Sequence, residues 1–231
     1  MSNLDRRKFM VLSAAVPAIT AAVGSGNAAA ASTSGMYICM HGATSSGFDF
    51  RTMMEGWSRA GITAAEPDLP IARTFEDANG PGSARRLMDD LGIRAVSSSN
   101  QLYLEESGPR RSQALEDLKW KLELAESLGA DRLVVPTVAS GTYSMADYEQ
   151  VYENLYEAAE IARPHNIALM LEFIRFSTLI NNVRTALDVV RTVDHPNLKF
   201  MIDLYHFWAG MSKFEDLDLI NEGEIHHVHF E

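Results

Sequence analysis

Ile167-Ala168-Leu169-Met170-Leu171-Glu172-Phe173 lies between two segments of helical period, Met145–Ala162 and residues 178–193, and this arrangement decides the fold. Six of its seven residues are apolar, a run of strand length, and its flanks repeat their apolar residues at helical spacing. Toward the N-terminus the alternation continues. A strand at 132–136 follows a strong helix at 113–128 that Gly129 closes. Before these come a strand at 93–98, a weaker helix at 83–91 stopped by Gly92, and a strand at 62–66. A helix at 48–60, with Met53, Met54 and Trp57 on one face, and a first strand at 36–41 precede them. Toward the C-terminus come a strand at 198–204, a short helical piece at 213–220 and a seventh strand at 225–230. Ser144 is placed to cap the helix that starts at Met145.

Seven strand–helix alternations predict an α/β protein with a parallel sheet, because parallel neighbours need crossover helices. A (β/α)8 barrel is the expected closure, at a typical ~250 residues. The rival, an open doubly wound sheet, would more often carry a glycine-rich turn after its first strand, where this chain has Met40-His41-Gly42-Ala43. Only about seven strands are counted across the barrel domain, residues 35–231. A seven-strand barrel leaves unpaired backbone at its seam. The expectation is therefore a barrel incomplete at its C-terminus, truncated from a longer chain or covered by a partner.

The 231 residues suit one domain, and 46% hydrophobic content supplies a core. The formal charge of −11, without a Lys/Arg stripe, argues against a nucleic-acid partner. Cys39 is the single cysteine, so no intrachain disulfide forms, and it reads as a small apolar strand residue.

Residues 1–31 read as a leader and not as fold. Asp5-Arg6-Arg7-Lys8-Phe9-Met10 precedes an apolar stretch at 11–23 and small residues at 27–31. The paired Arg6-Arg7 resembles a twin-arginine signal, which implies a periplasmic or otherwise exported protein. Pro17 interrupts the apolar stretch, which is shorter than the ~20 residues of a membrane span, so no stable span is expected. The alternatives are an uncleaved amphipathic leader or a start at Met36.

Barrel chemistry sits at the C-terminal ends of strands. Those ends carry Glu66, Glu172, Asp203 with His206 just beyond it, and His227 with His229. Carboxylate and imidazole donors suit a divalent metal: Mn²⁺, Co²⁺, Mg²⁺ or Zn²⁺. Each residue also has a structural reading. Glu172 in its apolar run must be paired, and Arg175 is an available partner. Asp203 could cap the loop that follows it. In His226-His227-Val228-His229, the second and fourth residues share one strand face and His226 points the other way.

Leu171-Glu172-Phe173-x-Arg175, Met201-Ile202-Asp203-x-Tyr205-His206-Phe207-Trp208 and His227-Val228-His229-Phe230 resemble the late-strand motifs of the sugar phosphate isomerase/epimerase family, the xylose isomerase-like TIM barrels. Residues 212–218 and the first-strand end, Met40-His41-Gly42-Ala43-Thr44-Ser45, are similar to one bacterial subgroup. The resemblance implies Glu172, Asp203 and His229 as metal ligands. Glu172 would double as the proton-transfer base, and His206 would contact a substrate oxygen as the second catalytic residue. His41, Glu66, His206 and Trp208 are expected on the substrate side, Trp208 with Phe207 offering either an apolar wall or packing. The family pattern also takes a carboxylate from an eighth strand, and Glu231 is not placed by the motif as that residue. Without it, most activity is expected to be lost.

The implied reaction is proton transfer through an enediolate on a small-molecule sugar, or a related polyol or keto acid. The rivals are a metal-dependent hydrolase like the endonuclease IV barrels, and a non-catalytic exported barrel that binds sugar or metal. The sequence leaves the oligomeric state, including a homo-oligomer, open.

Overall fold

The computed structural model describes residues 38–99 and 103–230. The leader expected at 1–31 and Glu231 lie outside them. The strands are β1 (Met40–His41), β2 (Ala64–Glu66), β3 (Arg94–Ala95), β4 (Ser98–Ser99), β5 (Arg132–Thr137), β6 (Ala168–Phe173), β7 (Leu198–Asp203) and β8 (Ile225–His229). All pairs are parallel, in the orders β1-β2-β3 and β4-β5-β6-β7-β8. The single strand expected at 93–98 is broken. Its first half pairs with β2 (Ala65 opposite Ala95), and its second half pairs with β5 (Ser98 opposite Leu133). An isolated bridge from Asp68 to Ser99 crosses between the sheets. The break therefore adds a strand label but no new stave. The seven staves expected remain seven among the described residues.

Among the described residues seven α-helices accompany the strands: α1 (Phe50–Arg59), α2 (Leu69–Asn79), α3 (Ser83–Asp90), α4 (Arg111–Leu128), α5 (Met145–Ala162), α6 (Val183–Val193) and α7 (Leu204–Ala209). Two have no counterpart in the sequence reading. The chain enters α2 through Asp68, whose side chain accepts from the Ile71 N–H at 3.1 Å, with Pro70 in the first turn. Asp203 starts α7 in the same way. Helix α6 begins at Val183, five residues later than expected, because Asn182 caps it by accepting from the Thr185 N–H at 2.9 Å. The Thr178 hydroxyl is bonded instead to the Gly141 carbonyl at 2.7 Å, which holds residues 178–182 as a loop. Ser144 and Asp147 form the capping box of α5, and Gly129 at φ 84° closes α4.

Strand alternation sorts the side chains by face. Leu169, Leu171 and Phe173 of β6 join the large core between sheet and helices, with Leu198 and Phe200 of β7. Met170 and Met201 point the other way and form a small cluster with Val134 inside the barrel. Glu172 and Asp203 lie two residues beyond these methionines, so they face the same interior. Arg132 Nη1 donates to the His226 carbonyl at 2.7 Å, tying the start of β5 to β8 across two intervening strands. Strand β8 ends its sheet and leaves Ile225 and Val228 exposed, with Phe230 beyond it. Cys39 is half-buried just before β1, and burial, then the nearby Glu66, pushes its thiol up, which suits an inert side chain. Among the described residues no helix is long and apolar enough to cross a membrane.

Two buried carboxyls lie outside this interior cluster, Asp216, which is paired with Arg184, and Glu105. Glu105 is 2% exposed, accepts the Val138 N–H through Oε1 at 3.0 Å and leaves Oε2 without a hydrogen-bond partner. Its loop is pinned by Asn154, which donates to the carbonyls of Glu105 and Glu106, and by Arg111, which donates to Leu104. Burial raises the Glu105 carboxyl to about 7. The folded state thus holds this proton more tightly than the unfolded chain does. Stability is full below the ordinary carboxyl range near 4.5 and falls as pH rises toward about 7. The expected loss is about 3 kcal/mol. Denaturant titrations should show Glu105→Gln with a flatter profile from pH 5 to 8 and greater stability than the parent at pH 8. Identical profiles for the two chains would contradict this assignment.

Candidate metal centre

Three strand tips and one helix turn meet inside the barrel. Register places Pro136 opposite Glu172 and Asp203 opposite His229, while Leu171 opposite Phe200 carries Asp203 two positions beyond the level of Glu172. His229 Nδ1 lies 2.9 Å from Glu172 Oε1 and 3.6 Å from Asp203 Oδ2. His206 enters from the first turn of α7, where its N–H donates to Asp203 Oδ1 at 2.6 Å. The cap role considered for Asp203 is thus real, and it leaves the second carboxylate oxygen facing His229. Donor atoms of Glu172, Asp203 and His206 lie within 4.8 Å of one another. Glu172 pairs with His229, while Arg175, the partner considered from sequence, lies over the rings of Phe176 and Tyr205. Gly210 closes α7 where a Cβ would meet the His206 carbonyl at 2.5 Å, so the turn that carries His206 has no room for a side chain there.

A second group adjoins the first through His229. Glu66, at the tip of β2 and 1% exposed, has four donors around its carboxylate. His41 Nε2 and His229 Nε2 each lie 3.2 Å from Oε1. His227 Nε2 lies 2.9 Å from Oε2, and Ser97 Oγ donates to the same oxygen. Donor atoms of His41, Glu66 and His229 also fall within 4.8 Å of one another. The hydrogen bonds give His41 a different part. Its Nδ1 accepts the Ala43 N–H at 3.1 Å, so in the neutral ring the proton is on Nε2. That nitrogen is hydrogen-bonded to Ser99 Oγ at 3.1 Å and lies 3.2 Å from Glu66 Oε1, with no lone pair left for a cation. Ser97 and Ser99 were not singled out by sequence, and His227 was placed at a strand end with His229 but given no role of its own. The strand period put His227 on the face of His229, but no sequence signal marks the two serines.

Electrostatics follow from this crowding. Burial raises the Glu172 carboxyl, with Asp203 adding to the effect against the opposing His229. Burial also opposes ionisation of Asp203, but the adjacent His229 and the hydrogen bond from the His206 N–H outweigh it and lower its carboxyl. At Glu66, burial is overcome by His227, His229 and His41, which hold it well below the usual carboxylate range. Burial disfavours a charged His229, yet Asp203, Glu172 and Glu66 push it up to about 12. Three buried carboxylates therefore share one imidazolium, a group short of positive charge. His206 Nδ1 is buried without a hydrogen-bond partner. Surplus negative charge beside an unpartnered imidazole nitrogen and two further donors fits a divalent cation with mixed N and O ligands. Glu172, Asp203 and His229 are the residues that would hold it, with the ring of His206 beside Glu172 and Asp203.

The other residues expected on the substrate side are placed differently. His41 is half-buried beside His229, its ring centroid 4.9 Å away. Trp208 is 75% exposed and meets Phe214 edge-on at 6.1 Å, whereas Phe207 is buried in the core.

Known proteins share this architecture. The sequence is 31% identical over 116 residues to an inosose isomerase from Bacillus licheniformis, a match covering 49% of this chain and 41% of that one. The chain spans about two-fifths of the length of the curated relatives it matches first. Among solved structures, an IOLI protein with a bound zinc atom superposes with a TM-score of 0.75 at 19% identity, over 84% of this chain and 72% of that one. A D-psicose 3-epimerase structure in the presence of D-fructose gives 0.69 at 19% identity, over 82% and 71%. The sequence profile of one family matches residues 43–231, most of the described barrel. With the late strand tips gathered as described, this chain belongs to the Xylose isomerase-like TIM barrel family.

Proposed function

We propose that the chain serves a divalent-cation-dependent isomerase or epimerase that moves a proton at a carbon beside a carbonyl in a small sugar, polyol ketone or keto acid. The observation that carries this reading is Glu172, a buried carboxylate with a raised proton affinity, set beside Asp203, His206 and His229. A divalent cation at these residues supplies electrostatic stabilisation for the negative charge that develops on oxygen as the neighbouring carbon loses its proton.

The chain's own groups do the rest. Glu172 takes the proton on a carboxylate oxygen as the general base. Asp203 is fixed by the His206 N–H and keeps one oxygen toward the centre. His206 offers the ring that orients a substrate oxygen. Return of the proton to the adjacent carbon isomerises the substrate. Return to the same carbon from the opposite face epimerises it and takes a second acid. The isomerase and epimerase relatives support this class of reaction, and the Arg6-Arg7 leader supports export of the folded protein.

Deuterium uptake from solvent into a keto sugar, followed by mass spectrometry with Mn²⁺, Co²⁺, Mg²⁺ or Zn²⁺ added, tests the reading. Cation-dependent exchange is expected, reduced at least ~100-fold in Glu172→Gln. Bound cation without exchange on any keto or aldo sugar would favour a binding protein instead. Uptake of the cation must also displace the His229 proton. Because that proton is held up to about 12, affinity should rise about tenfold per pH unit through neutrality. Calorimetry in buffers of different ionisation enthalpy should find about one proton released per cation. Uptake without proton release would contradict the assignment of His229.

A further inference from the structure

We propose that Glu66 is a positioning residue for the cation centre: it holds His229 with Nε2 protonated and turns Nδ1 toward Glu172 and Asp203. This rests on the reading of those residues as cation ligands. The geometry separates the two nitrogens of one ring. Nε2 of His229 lies 3.2 Å from Glu66 Oε1, while Nδ1 lies 2.9 Å from Glu172 Oε1. A neutral imidazole carries one N–H and one lone pair, and the hydrogen bond made by one nitrogen decides which role the other takes.

Glu66 is suited to act only as an acceptor. A carboxylate offers about four lone-pair directions. His229, His227 and Ser97 are hydrogen-bonded to Glu66, and His41 Nε2 closes the remaining side at 3.2 Å. None of its capacity is left for a cation or a substrate oxygen, so the substrate-binding role expected from sequence gives way to this one. The donors are themselves anchored. The Ala43 N–H fixes the tautomer of His41, and His227 rises from the same strand as His229, two residues earlier. A buried carboxylate held from β1, β2, the third stave and β8 is a rigid reference for the His229 ring. Carboxylates of this kind behind a ligating histidine orient the ring and raise its basicity.

The proposal also decides between two uses of the His41–Glu66–His229 group. As a second cation site it would need a free lone pair on His41 Nε2, which the Ala43 hydrogen bond denies. The group then belongs behind the first centre and not beside it.

The test uses the full chain with ¹⁵N-labelled histidine and ¹¹³Cd²⁺ as the probe. The expected result is a cadmium–nitrogen coupling to Nδ1 of His229 and a slowly exchanging proton on Nε2. Coupling to Nε2 overturns the role of Glu66 while leaving the cation centre standing. Cadmium that binds without touching His229, or does not bind, overturns both. Glu66→Gln leaves one acceptor oxygen for four donors. It should lower cadmium affinity 10- to 100-fold and mix the two His229 tautomers. A variant that folds with unchanged affinity and an unchanged His229 signature counts against the proposal. The coupling in the parent chain decides the matter if that variant fails to fold.

Discussion

The structure turns on the cost of burying carboxylates. Glu66, Glu172 and Asp203 are each at most 6% exposed, and all three reach His229. Removed from water, such charges must be paired or neutralised. His229, the imidazole that all three reach, can offset one unit of charge. A divalent cation taking the place of its Nδ1 proton offsets more, and the unpartnered nitrogen of His206 lies beside it for a substrate oxygen. The placement of the strands serves that requirement. Parallel register brings Asp203 level with His229, and the Asp203 cap turns the chain into α7 so that His206 faces back.

The same interior shows how a small number of strand residues divide the work. On β6 and β7 the helix-facing positions are apolar and large, and Phe173 and Phe200 stack at 6.4 Å. The interior positions run through Met170 and Met201 and end in acids. Packing thus sets the height of the tips, and the polar cluster inherits its precision from the core. On the other side of the barrel the staves are short, only two or three residues long in β1, β2, β3 and β4. Their contribution to the centre is the hydrogen-bonded frame around Glu66.

Much of this was legible in the sequence, for a physical reason. Apolar runs such as 167–173 announce strands, and a charged residue at the end of such a run must have a purpose, so Glu172, Asp203 and His229 stood out. The two-residue period of His227 and His229 placed both on the inner face. Helix α2 escaped notice because Pro70 and its mixed polar sequence blur the apolar period, although Asp68 and Pro70 together mark a helix start. The break at Val96-Ser97 was illegible, since the two halves of that stave answer to different neighbours. The role of Glu66 was equally hidden. Its four donors come from positions 41, 97, 227 and 229, and only the fold brings them to one carboxylate.

The central claim is that Glu172, Asp203 and His229 share one cation. Anomalous diffraction from crystals grown with Zn²⁺ measures this directly. The account predicts a peak about 2.0–2.2 Å from a carboxylate oxygen of Glu172, one of Asp203 and Nδ1 of His229. A peak held by His41 and Glu66, or none within the barrel, would contradict it.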